Sequence, residues 1–385
     1  MSETDINKQS IKTEYSYEEF VKLISSCEQK TVAIICHDQP DPDCLASAMA
    51  MKVIAEHFGK TSTIYYGGEL GHTQNRIMVN VLDISLSRLD INDNDSDDDD
   101  DETIVNIQEF IDNSFIVVVD TSYYGNENCS GIAPFIKDNQ EPDLIIDHHD
   151  LNNKIKTPYL RRCYGSCSTI LYEMMESLNL NISRILATAL YLGINTDTTD
   201  LKGEGATSED HAAYESLKEK IDLEKYLKIF NYPKPSALLD LRKKAYKDIC
   251  TTNTLAVANV GVITPQQRSL VAEICEEILE IESIETAVVM AIVDEGLKTK
   301  KAIVASFRSS LLAINTKDFM KKIFGKKGVG GRKGSGGASI PLDFIHCDTI
   351  DSIRSQHGDN GHLSQYISHI FEAYSMKIKE ECIIF

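Results

Sequence analysis

The sequence has no apolar run of the ~18 to 20 residues that a membrane-spanning helix needs. Met1 to Ser16 are polar and mixed in charge, so no apolar signal region opens the chain. A soluble, cytoplasmic protein without a membrane partner is the expectation. A disulfide framework is also absent. The ten cysteines are scattered, and Cys36, Cys250 and Cys275 lie in apolar runs where a free thiol packs as a small hydrophobe. The close pair Cys163 and Cys167 has no second pair to complete a zinc site, so reduced thiols in a reducing compartment are expected. No Walker A loop occurs. Positive charge is scarce: 39 Lys and Arg stand against 59 Asp and Glu, a net charge of −20. Such a surface repels long nucleic acid, so a nucleic-acid substrate has to be short or held by a local basic patch. Part of the excess is the tract Asp93 to Glu102. It lacks the glycine and terminal glutamate of a calcium loop and reads as a solvated insertion at about 92–102.

What is present is an ordinary apolar content, 42%, in 385 residues, enough for two domains with real cores. Runs of β-type residues at 31–36, 61–66, 114–119 and 143–146 alternate with helical stretches at 44–58 and 72–82. That alternation predicts a parallel sheet. Helices fit 168–178, 183–194, 208–219 and 235–249, with a linker near Pro233 and Pro235. Beyond it, strands at 254–262, 285–294 and 299–306 and helices at 265–280, 316–324 and 363–378 make a second unit. The fold class is therefore α/β: an N-terminal parallel-sheet domain (1–220), a helical linker region (221–250) and a smaller C-terminal α/β domain (251–385).

Chemistry gathers at the ends of the first strands, where open α/β sheets place their sites. The loop His37-Asp38-Gln39-Pro40-Asp41-Pro42-Asp43 follows the first strand. Its prolines keep the backbone extended, which turns Asp41 and Asp43 to opposite sides. The bland alternative is a turn with an N-cap at Asp43. Asp120 ends three valines and is either a bridging carboxylate or a turn residue. In Asp147-His148-His149, one imidazole can bind a metal and the other a phosphoryl oxygen, with Asp147 orienting them. Asp197 ends a helix, with Asp200 a competing ligand. Carboxylates and imidazoles in this set suit two divalent metals and attack on phosphorus. The segment Gly325 to Ser339, with Lys326, Lys327, Arg332 and Lys333, suits phosphate binding through backbone amides or serves as a flexible linker. Arg308 in Ser306-Phe307-Arg308-Ser309 is a further phosphate or base contact.

Taken in order, these motifs resemble the DHH phosphoesterase superfamily: an H-x-N-P-D-x-D loop, a strand-end Asp, Asp147-His148-His149, and Asp197-Thr198 after a helix. Gly165 to Met175 is similar to the family's segment after D-H-H, and the second half resembles its DHH-associated domain. The resemblance implies one metal on His37, Asp41 and Asp120, and a second on Asp43, Asp120, His148 and Asp197, with Asp120 bridging. It implies His149 and Asp120 as catalytic residues. Arg308, Ser309, Gly330, Gly331, Arg332 and Lys333 would hold substrate, His149 would touch its phosphate, and the active site would lie in the cleft between the domains. Two Mn²⁺ ions are implied, and the ligand set also admits Mg²⁺, Co²⁺ or Zn²⁺. Two positions depart from the pattern: Gln39 replaces the usual Asn, and Gly330-Gly331-Arg332-Lys333 lacks the histidine of G-G-G-H.

The expected activity is hydrolysis of short oligonucleotides, linear dinucleotides such as pApA, or 3′,5′-bisphosphate nucleotides. It proceeds through metal-activated water, as in the nanoRNase and pAp-phosphatase branch. No long duplex would be a partner, and a homodimer follows from the resemblance alone. The competing readings are a RecJ-like single-strand exonuclease, a pyrophosphatase or exopolyphosphatase, and a nucleotide-binding regulatory module.

Overall fold

The computed structural model of the protein describes residues 15–67, 70–89, 113–121, 142–149, 157–203, 205–294, 301–311, 314–326, 328–332, 334–342 and 363–383. The acidic tract 93–102, Lys327 and Lys333 lie outside them. The chain forms two compact units, Met1–Pro233 and Lys234–Phe385.

The first unit is built on strands β1 (Thr31–Cys36), β2 (Thr61–Gly67), β3 (Ser87–Leu89), β4 (Ser114–Val119), β5 (Leu144–Asp147) and β6 (Tyr159–Arg161). They pair in parallel in the order β3-β2-β1-β4-β5-β6. Ile34 of β1 lies between Ile64 and Val117, and every residue of β4 and β5 is buried. Continuous apolar strands of this kind are what a sheet covered on both faces needs. The strand order runs in opposite directions from β1 to β2 and from β4 to β5, and β1 and β4 are neighbours. That is the switch point where α/β sheets open a crevice at their carboxyl ends.

Helices α1 (Tyr17–Ser26), α2 (Pro42–His57), α3 (Thr73–Leu82), α4 (Cys167–Ser177), α5 (Arg184–Asp197), α6 (Ser208–Lys218) and α7 (Leu223–Phe230) complete this unit. Asp41 caps α2 and Pro42 occupies its first turn. The ring's fixed φ is preorganised for that position, so the helix starts one residue before Asp43. Asp43 is thus helical and not part of an extended loop, and the cap is Asp41. The stretch expected as a linker contains α7, whose Tyr226 packs edge-on against Tyr191 of α5. The short strands β3 and β6 carry too few residues to show a period in the sequence.

The second unit has helix α8 (Ala237–Lys247), strands β7 (Cys250–Thr252) and β8 (Leu255–Ile263), helix α9 (Arg268–Leu279), then β9 (Thr286–Val293) and β10 (Ala302–Ser309). Helix α10 (Thr316–Phe324), strands β11 (Val329–Arg332) and β12 (Ser335–Pro341) and helix α11 (Leu363–Ile383) follow. Its sheet runs β11-β12-β10-β9-β8-β7 and is antiparallel except between β8 and β9. Alternation along the strands splits its core into two layers. Val288, Met290 and Ile292 face Phe319, Ile323 and Ile370, while Val289, Ala291 and Val293 face Leu270, Ile274 and Leu241. The glycine-rich segment, read as a loop or linker, is the paired hairpin β11–β12. A side chain at Gly336 would sit 2.6 Å from Thr316 Cγ2, so glycine here serves the packing of α10 on the hairpin.

In the first unit α5 passes close over the start of α2. A Cβ at Gly193 would lie 3.0 Å from both Cα and Oδ1 of Asp43, and nearer still to Ser168 Oγ. Gly193→Ala is therefore expected to destabilise the protein by about 1–3 kcal/mol through overpacking, despite alanine's better helix propensity. Urea unfolding measures this, and a midpoint at or above that of the wild type would contradict so close an approach.

Candidate metal centre

The carboxyl ends of β1, β4 and β5 bring together the residues singled out above. Asp120 follows β4 directly and adopts a left-handed backbone, φ +57°. Asp is one of the few residues that tolerate this region, and it turns the carboxylate off the strand axis. The Asp120 N–H donates to Ile146 O at 2.9 Å, which ties the turn to β5. His37 Nε2 lies 3.9 Å from Asp120 Oδ2 on one side, and His148 Nε2 lies 3.4 Å from Asp120 Oδ1 on the other. His148 Nε2 is also 3.2 Å from Asp197 Oδ2. Asp43, His148 and Asp197 offer ligand atoms all within 4.8 Å of one another. Asp200 turns away: its carboxylate takes Asn195 and Lys202 instead.

Each side chain is held from behind. Asp43 is fully buried and accepts the N–H groups of Cys167 at 2.7 Å and Ser168 at 2.8 Å, so the N-terminus of α4 carries its charge. His148 Nδ1 lies 3.1 Å from the Tyr164 carbonyl, an acceptor only, so Nδ1 bears a proton and Nε2 is the nitrogen that faces the carboxylates and can ligate a cation. The Asp147 carboxylate is saturated. Its Oδ1 accepts from the His148 N–H at 2.8 Å, the His149 N–H at 3.1 Å and His149 Nδ1 at 2.7 Å, and its Oδ2 accepts from the Tyr159 hydroxyl at 3.1 Å. Asp147 therefore orients the pair, while His149 keeps 47% of its side chain exposed. Asp41 uses Oδ1 to cap Cys44 N–H at 3.0 Å, and its charge still acts on His37, Asp43 and Asp120.

The cluster carries more negative charge than its own groups can balance. Burial, with the neighbouring carboxylate of Asp197, pushes Asp43 up to about 7. Burial and Asp43 raise Asp120 well above the carboxylate range. Burial alone would lower the two imidazoles. Cys44 and the Asp41 and Asp38 carboxylates outweigh it at His37, which rises to about 9, and hydrogen bonds with Asp120 and Asp197 outweigh it at His148. Asp120 Oδ1 and His148 Nε2 are buried, and although the carboxylates that raise His148 stand 3.2–3.4 Å from Nε2, neither atom reaches a partner in good hydrogen-bond geometry. Polar atoms left this way are rare in native interiors, and a divalent cation between these two would satisfy both. The donor set therefore fits the metals that the motifs implied.

Sequence reasoning did not single out Cys44, whose Sγ lies within 4.8 Å of ligand atoms on both His37 and Asp120. Burial holds its thiol well above the ordinary range. Nor did it find Asp210, which accepts from Gly165 N–H at 2.6 Å and Thr169 Oγ1 at 2.5 Å and so fixes the turn before α4. Both lie in apolar or helical stretches with no motif spacing to flag them.

Among the described residues, Arg308, Ser309 and the glycines expected to hold substrate are engaged within the second unit. Arg308 donates from Nε and Nη2 to Glu276 Oε1 at 3.0 and 2.8 Å. Ser309 is buried, 2.9 Å from Thr286 Oγ1. Gly330 and Gly331 pair with Gly337 and Gly336, and Arg332 with Ser335, inside the hairpin.

Residues 31–194 match the DHH family, N-terminal domain. This segment of the chain is thus similar to the DHH family's N-terminal domain. An uncharacterized protein of Methanocaldococcus jannaschii is 31% identical over 332 residues, 84% of this chain and 61% of the relative. A probable manganese-dependent inorganic pyrophosphatase of Staphylococcus aureus is 24% identical over 200 residues, 50% of this chain and 57% of the relative. The chain thus spans only about three fifths of the length of these curated relatives. Among solved structures, an exopolyphosphatase-related protein from Bacteroides fragilis shares the fold, with a TM-score of 0.66 at 14% identity, over 94% of this chain and 96% of that one. Among the described residues no helix is long and apolar enough to cross a membrane.

The raised values fix a pH dependence. Asp43 holds a proton up to about 7 in the fold against 3.8 ordinarily, and His37 up to about 9 against 6.5. In both cases the folded state binds the proton more tightly, so the stability they contribute is full at low pH and is lost as pH rises. The metal-free protein is expected to lose stability from about pH 4 to 7 through Asp43 and from about 6.5 to 9 through His37. Manganese should flatten that fall. Urea midpoints at pH 5 and 8.5, with chelator and with Mn²⁺, measure it. A metal-free midpoint that rises over this interval would contradict the assignment.

Proposed function

We propose that this protein is a divalent-metal-dependent phosphoesterase of the DHH family. The observation that carries the reading is the buried pair Asp120 Oδ1 and His148 Nε2, neither with a partner in good hydrogen-bond geometry, at the switch point of a parallel sheet. His37, Asp41 and Asp120 would hold one cation, and Asp43, Asp120, His148 and Asp197 a second, with manganese the preferred ion at the second. When bound, such cations supply Lewis acidity and lower the pKa of water beside a phosphoryl group.

The chain's own residues do the rest. Asp120 presents an oxygen to each side, Oδ2 toward His37 and Oδ1 toward His148. Asp43, braced by two backbone amides, keeps its geometry when charge in the site changes. His149 has Nδ1–H tied to Asp147, which leaves Nε2 directed outward, so that in the imidazolium form it would donate to a phosphoryl oxygen and stabilise developing charge. This Asp–His arrangement fixes tautomer and ring orientation in the way acyl-transfer enzymes use it.

For substrate, the net charge of −20 disfavours long polyanions and leaves linear dinucleotides such as pApA, short oligonucleotides and 3′,5′-bisphosphate nucleotides. A second reading, pyrophosphate or polyphosphate, draws on the Staphylococcus aureus relative, a probable manganese-dependent inorganic pyrophosphatase.

Mn²⁺-dependent release of mononucleotide from pApA, run beside phosphate release from pyrophosphate, tests both. The expected outcome is faster turnover of pApA, abolished in Asp120→Asn and lowered about 10²- to 10⁴-fold in His149→Ala. Turnover of pyrophosphate alone would favour the second reading. No metal-dependent turnover of either would sink the phosphoesterase assignment.

A further inference from the structure

We infer that Cys44 is a thiolate ligand at the first cation position, so that this position takes thiophilic divalent cations such as zinc in preference to manganese. The inference rests on the metal reading above and goes beyond it, since none of the family motifs includes this residue. His37, Cys44 and Asp120 offer a nitrogen, a sulfur and an oxygen, all within 4.8 Å of one another. Cys44 is fully buried, so its sulfur is shielded from solvent and from competing ligands. Its sulfur makes a long contact of 3.8 Å to Val119 O, at the residue that precedes Asp120, and hydrogen-bonds His37, the nitrogen donor of the same group. It occupies the third position of α2, directly after Asp43. Asp41, the alternative third ligand, has Oδ1 committed to the Cys44 N–H, and it belongs to none of the ligand groups among the described residues.

On binding, the S–H bond breaks, the sulfur lone pair forms the bond to the cation, and the proton leaves to solvent. No group changes oxidation state. A nitrogen, sulfur and oxygen set selects zinc over the hard manganese ion. Another buried thiol near the centre, Cys167, points its Sγ at Ile146 O at 3.5 Å and belongs to none of these groups, which makes it the natural control.

The test is cobalt titration of the metal-free, full-length protein, read in the near ultraviolet, where sulfur-to-cobalt charge transfer absorbs. The wild type and Cys167→Ser should show the band, and Cys44→Ser should lose it. The same variant should bind zinc roughly tenfold more weakly while manganese affinity changes less. Because Cys44 is buried and its variant can misfold, zinc absorption-edge spectroscopy on the wild type is the second measurement, with a sulfur shell expected at about 2.3 Å. Cobalt bound without the band, or zinc with only nitrogen and oxygen neighbours, would overturn the inference and leave the metal reading intact. Failure to bind any divalent cation would overturn both.

Discussion

The constraint on which the first unit depends is the mutual repulsion of carboxylates buried around His148. Asp43, Asp120 and Asp197 each approach it, and two of them are almost fully enclosed. Ionised carboxylates at this depth are costly unless something positive stands among them. The fold supplies part of that charge through the N-terminus of α4 beneath Asp43, and the imidazoles supply more by holding protons. The orphaned atoms of Asp120 and His148 mark where the supply falls short. Local features elsewhere in the unit then acquire a reason. Gly193 lets α5 carry Asp197 past Asp43, and Asp210 fixes the turn that aims α4 at Asp43.

Much of this was legible in the sequence because it obeys short periods. Strands such as Thr31–Cys36 and Ser114–Val119 are uniform β-branched runs bounded by polar residues, and a parallel sheet follows from their alternation with helices. The polar clusters at their ends mark the site because strand ends are where such sheets are open. What escaped was set by tertiary geometry. Nothing local says that Cys44 faces His37 across the turn, because a buried cysteine reads as packing. Tyr164 acts through its carbonyl, which carries no sequence signature. The extended reading of Asp43 failed because Pro42 starts a helix as readily as it breaks one.

The second unit shows the opposite case, where residue types suggested chemistry and packing claimed them. Glycines at 330, 331, 336 and 337 looked like an open phosphate cradle, yet they pair with one another and leave room for Thr316. Arg308 looked like a free cation and is paired with Glu276. A substrate anion at Arg308 has to compete with a carboxylate already in place, so recognition there is an exchange of partners.

The left-handed turn at Asp120 has a consequence for how such a site is lost over generations. A residue with φ +57° is replaced without backbone strain only by the few types that accept that conformation, chiefly asparagine and glycine. Asparagine removes the charge while keeping the turn, and it relieves the repulsion around His148. Wherever the charge at this position is not needed, asparagine is therefore a downhill replacement. Relatives that carry Asn or Gly at position 120 would keep the turn and the fold while giving up the carboxylate.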